Sequence, residues 1–325
     1  MLRAGGKDIP KELKKSLNKQ TKTIKGKFSK KSMQLFPKKG IKMIKNIEDR
    51  ILGGLLGLSL GDSYGSLLEE NKRWIDFNGS VTDDTYLSIA VAKGILENPN
   101  NPSEAIGKYF MEWFYNNPVG IGQTTKYAFE GYDLKKDWGY AVQYAHDNSQ
   151  HRSAGNGSLM RNLSVSLFYS NFKEMLLVAG EQSYLTHYDP MCKEACQLYA
   201  WLVYLLLKNE PKEDSLNEVF GNHLFYGHYK NETLDSLKTT AYVADTLLTA
   251  ITIFYKTNSF EEALRTSVSL GGDRDTIGSV TCGLAGVYYG IDSLPEGPMK
   301  QLSEFKTLWQ VGQMLFDRRN ENKEA

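Results

Sequence analysis

The sequence IEDRILGGLLGLSLGDSYG, residues 47–65, predicts the central element of the fold. Residues 47–60 are apolar on most sides of a helix, which is typical of a helix that is buried all round. Gly53, Gly57 and Gly61 recur at four-residue spacing and therefore lie on one face. A face without side chains lets the backbone of a second helix approach closely. We therefore predict a buried helix that packs through these glycines against another helix.

Further helical patterns run along the rest of the chain. Apolar and small residues recur at helical spacing in six segments, namely 85–96, 103–115, 190–207, 239–255, 275–290 and 300–316. Ser259 and Glu262 have the spacing of a capping box, which predicts that a helix begins there. No convincing set of short alternating strands is present. The predicted fold class is therefore all-α, a compact multi-helix domain.

The charge of the chain is distributed unevenly. Its net charge is only +1, but residues 1–45 hold 15 lysines or arginines and two acidic residues, a net charge of +13. The remaining residues carry a net charge of −12. Because no shift of composition divides them, we predict two parts: a basic N-terminal arm, residues 1–45, and a single domain, residues 46–325.

Neither a secretory signal nor a membrane span is predicted. The arm lacks an uninterrupted apolar run, and the longest such run elsewhere, residues 198–207, is about half of what a bilayer requires. Cys192, Cys196 and Cys282 are a sparse, odd set, which favours buried reduced thiols. A metal site formed by Cys192, Cys196 and His187 is a weaker alternative. We expect a soluble, cytoplasmic protein.

Two short acidic clusters lie almost 190 residues apart, each at the start of an apolar helical stretch. They are Thr82-Asp83-Asp84-Thr85 and Asp273-Arg274-Asp275-Thr276. Carboxylates and hydroxyls without histidine or cysteine suit hard ions such as Mg²⁺ or Mn²⁺. If two helix N-termini bring the clusters together, divalent cations would relieve the repulsion between the carboxylates. The alternative is that both clusters are only helix caps, since Thr and Asp are favoured where helices begin.

Four motifs occur in order between residues 47 and 292. They are 57–65 (GLSLGDSYG) followed by Glu69, 82–85 (TDDT), 155–161 (GNGSLMR) with 186–190 (THYDP), and 271–277 (GGDRDTI) followed by 282–290 (CGLAGVYYG). Together they resemble the motifs of the ADP-ribosylglycohydrolase family. Any one of them matches easily by chance, whereas four in the right order are a specific signal.

The resemblance implies a binuclear Mg²⁺ centre, with Mn²⁺ as an alternative ion. Its ligands would be Thr82, Asp83, Asp84, Asp273, Asp275 and Thr276. Acid–base catalysis would fall to Glu69 with Asp83 or Asp84, and the neighbouring Glu70 is an alternative to Glu69. The substrate would be bound by a glycine-rich loop and a histidine, namely Gly155, Asn156, Gly157, Ser158 and His187.

The reaction implied by the resemblance is hydrolysis of the N- or O-glycosidic bond between ADP-ribose and a protein side chain, with modified arginine as the expected substrate. Carboxylates would stabilise the positive charge that develops at the anomeric carbon. Two residues depart from the family pattern. Arg274 replaces a small or uncharged residue, and would pair with a ligand phosphate or with a carboxylate of the site. Gly120 stands where some arginine-directed members carry an aspartate.

The basic arm needs its own explanation, because the family core does not require it. Leu13, Leu17, Ile24 and Phe28 lie at near-helical intervals among lysines, which is typical of a segment that becomes an amphipathic helix on a surface. Our preferred hypothesis is an immunity protein whose arm blocks an ADP-ribosyltransferase toxin while the domain reverses its modification. A flexible solubilising tail and an anionic membrane surface are alternatives. Nucleic acid is disfavoured, because no recognition motif is present.

Two other functions stay open at this point. One is a catalytically weak binding or inhibitor protein of the same fold, which acts by occluding a partner. The other is a hydrolase of small ADP-ribose conjugates. An alanine at Asp83 or Asp275 separates the enzyme from the binding protein, because it removes hydrolysis and leaves partner binding through the arm intact.

Overall fold

The computed structural model describes residues 46–71, 77–116 and 118–324, so the predicted arm, residues 1–45, lies outside the described residues. The described chain is helical and contains no β-strand, in agreement with the predicted all-α class. Its helices are α1 (Ile47–Asn71), α2 (Asp83–Glu97), α3 (Ser103–Tyr115), α4 (Gln123–Lys135), α5 (Trp138–Asn148), α6 (Leu163–Phe168), α7 (Phe172–Tyr184), α8 (Pro190–Leu207), α9 (Lys212–Phe220), α10 (Val243–Lys256), α11 (Phe260–Ser269), α12 (Arg274–Tyr289), α13 (Glu296–Gln301) and α14 (Phe305–Glu324).

Most predicted helices are confirmed, two of them at both ends. Helices α3 and α8 begin and end where the apolar periodicity does. Ser259 caps α11, and its hydroxyl accepts a hydrogen bond from the backbone N–H of Glu262. The prediction of one helix over 300–316 was wrong, because α13 ends at Gln301 and α14 begins only at Phe305. Apolar spacing continues across that break and therefore conceals it.

The predicted glycine contact joins α1 to α12 in an antiparallel arrangement. A Cβ added to Gly53 would lie 2.5 Å from the carbonyl oxygen of Gly286, and one added to Gly61 would lie 2.1 Å from that of Gly278. At Gly57 the corresponding distance, to the carbonyl oxygen of Cys282, is 2.6 Å. These distances leave no room for any side chain, so the two backbones touch from Gly53 to Gly61, over about two helical turns. The contact brings the N-terminus of α12 beside the C-terminal half of α1.

Helix α1 is the central helix of the fold. It packs against α12 on one side and against α14 and α11 on others. Within the described residues it is the one helix long and apolar enough to cross a membrane, over Ile47–Glu69, but almost all of it is buried inside the protein. Its apolar residues therefore belong to the core of the domain.

Candidate active site

Asp62 of α1 supplies the cap for helix α2. Its carboxylate accepts hydrogen bonds from the backbone N–H and the hydroxyl of Thr82, at 2.9 and 2.7 Å. It also accepts bonds from the N–H and hydroxyl of Thr85, at 3.3 and 2.6 Å. Thr82 is the N-cap residue, yet its own side chain makes no cap hydrogen bond. Sequence analysis did not assign Asp62 to the site; the only signal was its place after Gly61 in the first motif.

Glu69, two helical turns further along α1, performs the same task for helix α12. Its Oε1 accepts a hydrogen bond from the backbone N–H of Arg274, the first residue of α12. Glu69 lies within α1, which continues to Asn71. The side chain of the alternative residue, Glu70, lies outside the described part of the structure. One helix thus carries two carboxylates that hold the N-termini of α2 and α12.

The two acidic clusters meet, as predicted. The hydroxyl of Thr276 donates to Oδ2 of Asp84 at 3.4 Å, across 192 residues of sequence. On the other side, Glu69, Asp273 and Asp275 offer oxygens that all lie within 4.8 Å of one another. Asp273 is the N-cap residue of α12, and Asp275 lies in its first turn. The carboxylates therefore converge where two helix N-termini come together.

Burial and mutual repulsion raise the pKa values of three carboxyl groups in the two clusters, those of Asp83, Asp84 and Asp275. Burial and then the neighbouring charge of Asp62 raise the pKa of Asp83 to about 8. Burial and then a hydrogen bond and charge from Asp273 raise the pKa of Asp275 to about 10. For Asp84, burial and then the charge of Asp275 raise the pKa well above its ordinary value. Without cations, Asp83 and Asp275 therefore favour the protonated form at neutral pH.

The donor set fits hard divalent cations. Oδ1 of Asp84 is buried and has no hydrogen-bond partner, so a buried oxygen is left unsatisfied. The hydroxyl protons of Thr82 and Thr276 point to carboxylates, which leaves oxygen lone pairs free for coordination. Oxygen ligands without imidazole or thiolate are those that Mg²⁺ and Mn²⁺ prefer.

Arg274 does not neutralise the site. Its backbone donates to Glu69, but in the described part of the chain its side chain forms no ion pair with a carboxylate. One of the two partners expected for Arg274, a carboxylate of the site, is therefore not the partner in this structure. The guanidinium instead lies near Gly271, 3.8 Å from the position of a Cβ at that residue.

Gly120 lies close to the carboxylate of Asp83. It has a φ of +82°, and a Cβ there would lie 2.9 Å from Oδ1 of Asp83. Nearby, the backbone N–H of Gly122 donates to Oδ2 of Asp83 at 3.3 Å. An aspartate at position 120 would combine a strained backbone with a charge beside a carboxylate, so this backbone conformation suits only glycine.

A cavity of about 690 Å³ opens above the carboxylates. Four of its lining residues are Asp83, Asp84, Asp273 and Asp275, which we call the acidic wall. Residues 155–157 and His187 also line it, and we call them the neutral wall. Glu69 and Thr82 are not among the lining residues. Thus most of the predicted metal ligands and ligand-binding residues face one cavity.

Two predicted ligand-binding residues have partners within the protein. Asn156 donates to Oδ2 of Asp273 at 2.6 Å and to the hydroxyl of Thr246 at 2.9 Å, so it connects the neutral wall to the acidic wall. Ser158 is fully buried and does not line the cavity. Its hydroxyl oxygen accepts hydrogen bonds from the hydroxyl of Ser183, at 2.9 Å, and from the thiol of Cys196.

The three cysteines are buried free thiols, as predicted. The thiol of Cys192 donates to the carbonyl oxygen of Gly155 at 3.2 Å, which supports the glycine-rich loop. Burial raises the pKa of Cys196 to about 11. Nδ1 of His187 bonds to Thr186. The described residues contain no metal-binding group made of Cys192, Cys196 and His187, so that alternative was wrong.

A family model described as ADP-ribosylglycohydrolase matches residues 43–325. The chain belongs to the ADP-ribosylglycohydrolase family. An ADP-ribosylarginine hydrolase, Tri1 of Pseudomonas putida (strain GB-1), is 27% identical over 297 residues, covering 83% of this chain and 78% of that protein. The ADP-ribosyl-[dinitrogen reductase] glycohydrolase of Rhodospirillum rubrum is 26% identical over 286 residues, covering 79% and 91%.

A solved structure confirms the fold of this family member. A protein described as an ADP-ribosylglycohydrolase-related protein complex superposes with a TM-score of 0.72 and is 28% identical, covering 85% of this chain and all of that one. The resemblance drawn from the four motifs is thereby confirmed. The chain is an ADP-ribosyl glycohydrolase by family.

Proposed function

We propose that this ADP-ribosyl glycohydrolase is Mg²⁺-dependent and removes ADP-ribose from modified arginine side chains of proteins in the cytoplasm. The observation that carries the proposal is the convergence of the two acidic clusters on one wall of a cavity whose other wall is a glycine-rich loop. The relatives from Pseudomonas and Serratia are ADP-ribosylarginine hydrolases, which supports arginine as the linkage. Reduced buried thiols are consistent with the cytoplasm.

Two divalent ions would be held by Thr82, Asp83, Asp84, Asp273, Asp275 and Thr276. When bound, such ions polarise substrate oxygens and lower the pKa of water. Mn²⁺ fits the same oxygen ligands. Asp62 contributes indirectly, because it accepts the hydroxyl proton of Thr82 and turns that oxygen toward the site.

The chain's own residues account for the remaining requirements of glycoside hydrolysis. Asp83 and Asp84 line the cavity and stabilise positive charge at the anomeric carbon. The backbone N–H groups of Gly155 and Gly157 face the diphosphate, whereas that of Asn156 donates to the carbonyl oxygen of Ala241 at 3.0 Å. Glu69 exchanges a proton with the water or the leaving group, for which its carboxylate has to leave the N–H of Arg274 and turn toward the cavity.

The test measures release of free ADP-ribose from an arginine-modified protein, with Mg²⁺ or with chelator. We expect Mg²⁺-dependent release that the Asp275→Ala variant abolishes. Asp317→Ala is the matched control, since Asp317 is an exposed aspartate on α14, and it should release ADP-ribose at the wild-type rate. A serine-modified protein assayed in parallel tests the linkage. Release from serine alone would overturn the arginine assignment.

We also propose that the basic arm binds an ADP-ribosyltransferase toxin, which would make the protein an immunity protein. The support is its net charge of +13 and the amphipathic spacing of its apolar residues. Removal of residues 1–45 should weaken toxin binding and leave hydrolysis unchanged. An arm-deleted protein that binds the toxin as tightly as the full chain would contradict the proposal.

The occluding-protein alternative has one observation in its favour. Gly120 lies over Asp83 in a conformation that excludes the aspartate of some arginine-directed members. Absence of ADP-ribose release under every condition above, with toxin binding intact, would favour this alternative over the hydrolase.

A further inference from the structure

Arg161 is a buried guanidinium behind the neutral wall, and no carboxylate pairs with it in the described structure. It is fully buried and lies 4.3 Å above the ring of Phe110. It donates to the side chain and the carbonyl oxygen of Gln182, both at 2.9 Å, and to the hydroxyl of Thr186 at 2.8 Å. One of its terminal nitrogens, Nη1, has no hydrogen-bond partner in the described structure. A buried charge with only neutral partners is costly, so its presence here calls for a functional reason.

The hydrogen bonds that lead from Arg161 determine where protons lie. A guanidinium only donates, so the hydroxyl oxygen of Thr186 is the acceptor in its bond with Arg161. The hydroxyl proton of Thr186 has one acceptor among the described residues, Nδ1 of His187, at 2.7 Å. Nδ1 therefore carries no proton. In a neutral imidazole the proton then lies on Nε2.

The opposite tautomer leaves two groups unsatisfied. If Nδ1 carried the proton, the oxygen of Thr186 would accept from both His187 and Arg161, and its own buried proton would have no acceptor. Thr186 is fully buried, so water does not replace that acceptor. Burial and then the positive charge of Arg161 lower the pKa of His187 to about 3, which keeps the ring neutral.

The Nε2 atom faces the glycine-rich loop of the cavity. It lies 3.4 Å from the position of a Cβ at Gly155 and 3.5 Å from that at Gly157. His187 lines the cavity, and its Nε2 has no hydrogen-bond partner among the described residues. An N–H donor is thus presented beside a loop whose lack of side chains leaves room for a ligand.

We propose that Arg161 and Thr186 are positioning residues that fix His187 as a neutral Nε2–H donor to a phosphate oxygen of ADP-ribose. The identity of the ligand rests on the proposed function, whereas the tautomer of His187 does not. Arg161 acts through two hydrogen bonds in series: it orients the hydroxyl of Thr186, and that hydroxyl orients the imidazole. The buried charge of Arg161 thereby also keeps a second proton off the ring.

The first test observes the tautomer directly in the full-length protein. Long-range ¹⁵N–¹H correlation spectra of labelled protein at pH 7 report which ring nitrogen is protonated, and the His187 signals are those missing from a His187→Gln sample. We expect an unprotonated Nδ1 and a protonated Nε2. A proton on Nδ1, or on both nitrogens, would overturn the proposal without any further variant.

The second test compares Thr186→Val, which removes the hydroxyl at nearly constant shape, with Thr186→Ser, which retains it. In the valine variant the tautomers should mix, and the Kd for ADP-ribose should rise about tenfold, as for loss of one hydrogen bond to a charged group. The serine variant should restore both the tautomer and the affinity. Thr252→Val is the control, because Thr252 is a fully buried threonine outside the cavity.

The outcomes separate the two proposals. Weaker binding by Thr186→Val with an unchanged tautomer would show a merely structural role for the hydroxyl and overturn the positioning role. Unchanged binding would overturn it as well. If the wild-type protein does not bind ADP-ribose at all, the proposed function fails, while the spectra still decide the tautomer.

Discussion

The acidic wall and the neutral wall of the cavity differ in whether their polar groups already have partners. The acidic wall brings together four carboxylates. Burial and then the charge of neighbouring carboxylates raise the pKa values of Asp83, Asp84 and Asp275, and Oδ1 of Asp84 is left without a partner. In the neutral wall, the ring of His187 carries one proton and no charge, fixed by Thr186. The first wall is incomplete until cations arrive. In the second, Nδ1 of His187 already has its partner, and Nε2 is left for a ligand.

This difference predicts how each wall responds to substitution. A change in the acidic wall should alter metal binding and stability in opposite directions, since removing a carboxylate relieves repulsion. A change in the neutral wall should weaken ligand binding and leave metal binding intact.

The largest effect is expected for Asp84→Asn. Hydrolysis should fall by about a thousandfold, on the scale of losing a group that stabilises charge in the transition state. The same variant should be more stable than wild type in chelator, because a buried carboxyl that resists ionisation is replaced by a neutral amide. Activity assays and thermal melts check both results. A variant that is inactive and also less stable in chelator would mean that repulsion does not dominate this wall.

Gly61→Ala should disrupt the contact that brings the two clusters together. Its Cβ would lie 2.1 Å from the carbonyl oxygen of Gly278, so α1 and α12 would have to move apart. We expect a loss of about 3 kcal/mol in the free energy of unfolding, at the upper end for overpacking, together with weaker Mg²⁺ binding. Gly297→Ala is the control, since no atom lies within 4 Å of its Cβ position. Equal unfolding midpoints for the two variants would contradict the contact.

The stability of the metal-free protein should fall as pH rises. The folded pKa values of Asp83 and Asp275 are about 8 and about 10, above those of the unfolded chain, so the folded state binds more protons. The stability that this provides is present below pH 4 and is lost as pH rises toward those values, by about 1.4 kcal/mol per pH unit for each proton. Thermal melts in chelator and in Mg²⁺ at pH 5.5, 7 and 8.5 test this. Mg²⁺ should stabilise most at pH 8.5, and an equal shift at every pH would count against the acidic wall.

The smallest effect is expected for Ser158→Ala. Sequence analysis assigned Ser158 to ligand binding, but its hydroxyl bonds with Ser183 inside the protein. The variant should bind ADP-ribose as wild type does and lose about 1 kcal/mol of stability, the contribution of one hydrogen bond. Isothermal titration and denaturant unfolding measure the two quantities. A marked loss of affinity would place the hydroxyl in the binding site after all.

The sequence predicted those features that depend on local spacing. The glycines at four-residue intervals predicted a close helix contact, and the TDDT and DRDT clusters predicted carboxylates at two helix N-termini. The structure contains both the helix contact and the carboxylates at the helix N-termini. Each depends on residues at most a few positions apart, which decide what lies on one face of a helix or at its start.

Features that depend on a partner far away in the sequence could not be predicted from local spacing. Asp62 caps α2 from another helix, and nothing in an apolar stretch shows which N–H groups its carboxylate will meet. Likewise, the carboxylate of Glu69 meets the N-terminus of α12, more than 200 residues away, and nothing near Glu69 in the sequence shows this. The direction of the Ser158 side chain depends on α7, whose Ser183 bonds to it.

The glycine contact between α1 and α12 has a consequence for the synthesis of the protein. The segment Ile47–Glu69 is apolar enough to enter a bilayer, and the helix that covers its glycine face is translated some 200 residues later. Until α12 emerges, the growing chain exposes the glycine face of this apolar helix, and the long loop between the two helices has not yet closed. The nascent protein therefore depends on a chaperone, or on rapid collapse, to keep this helix from aggregating before its partner has been made.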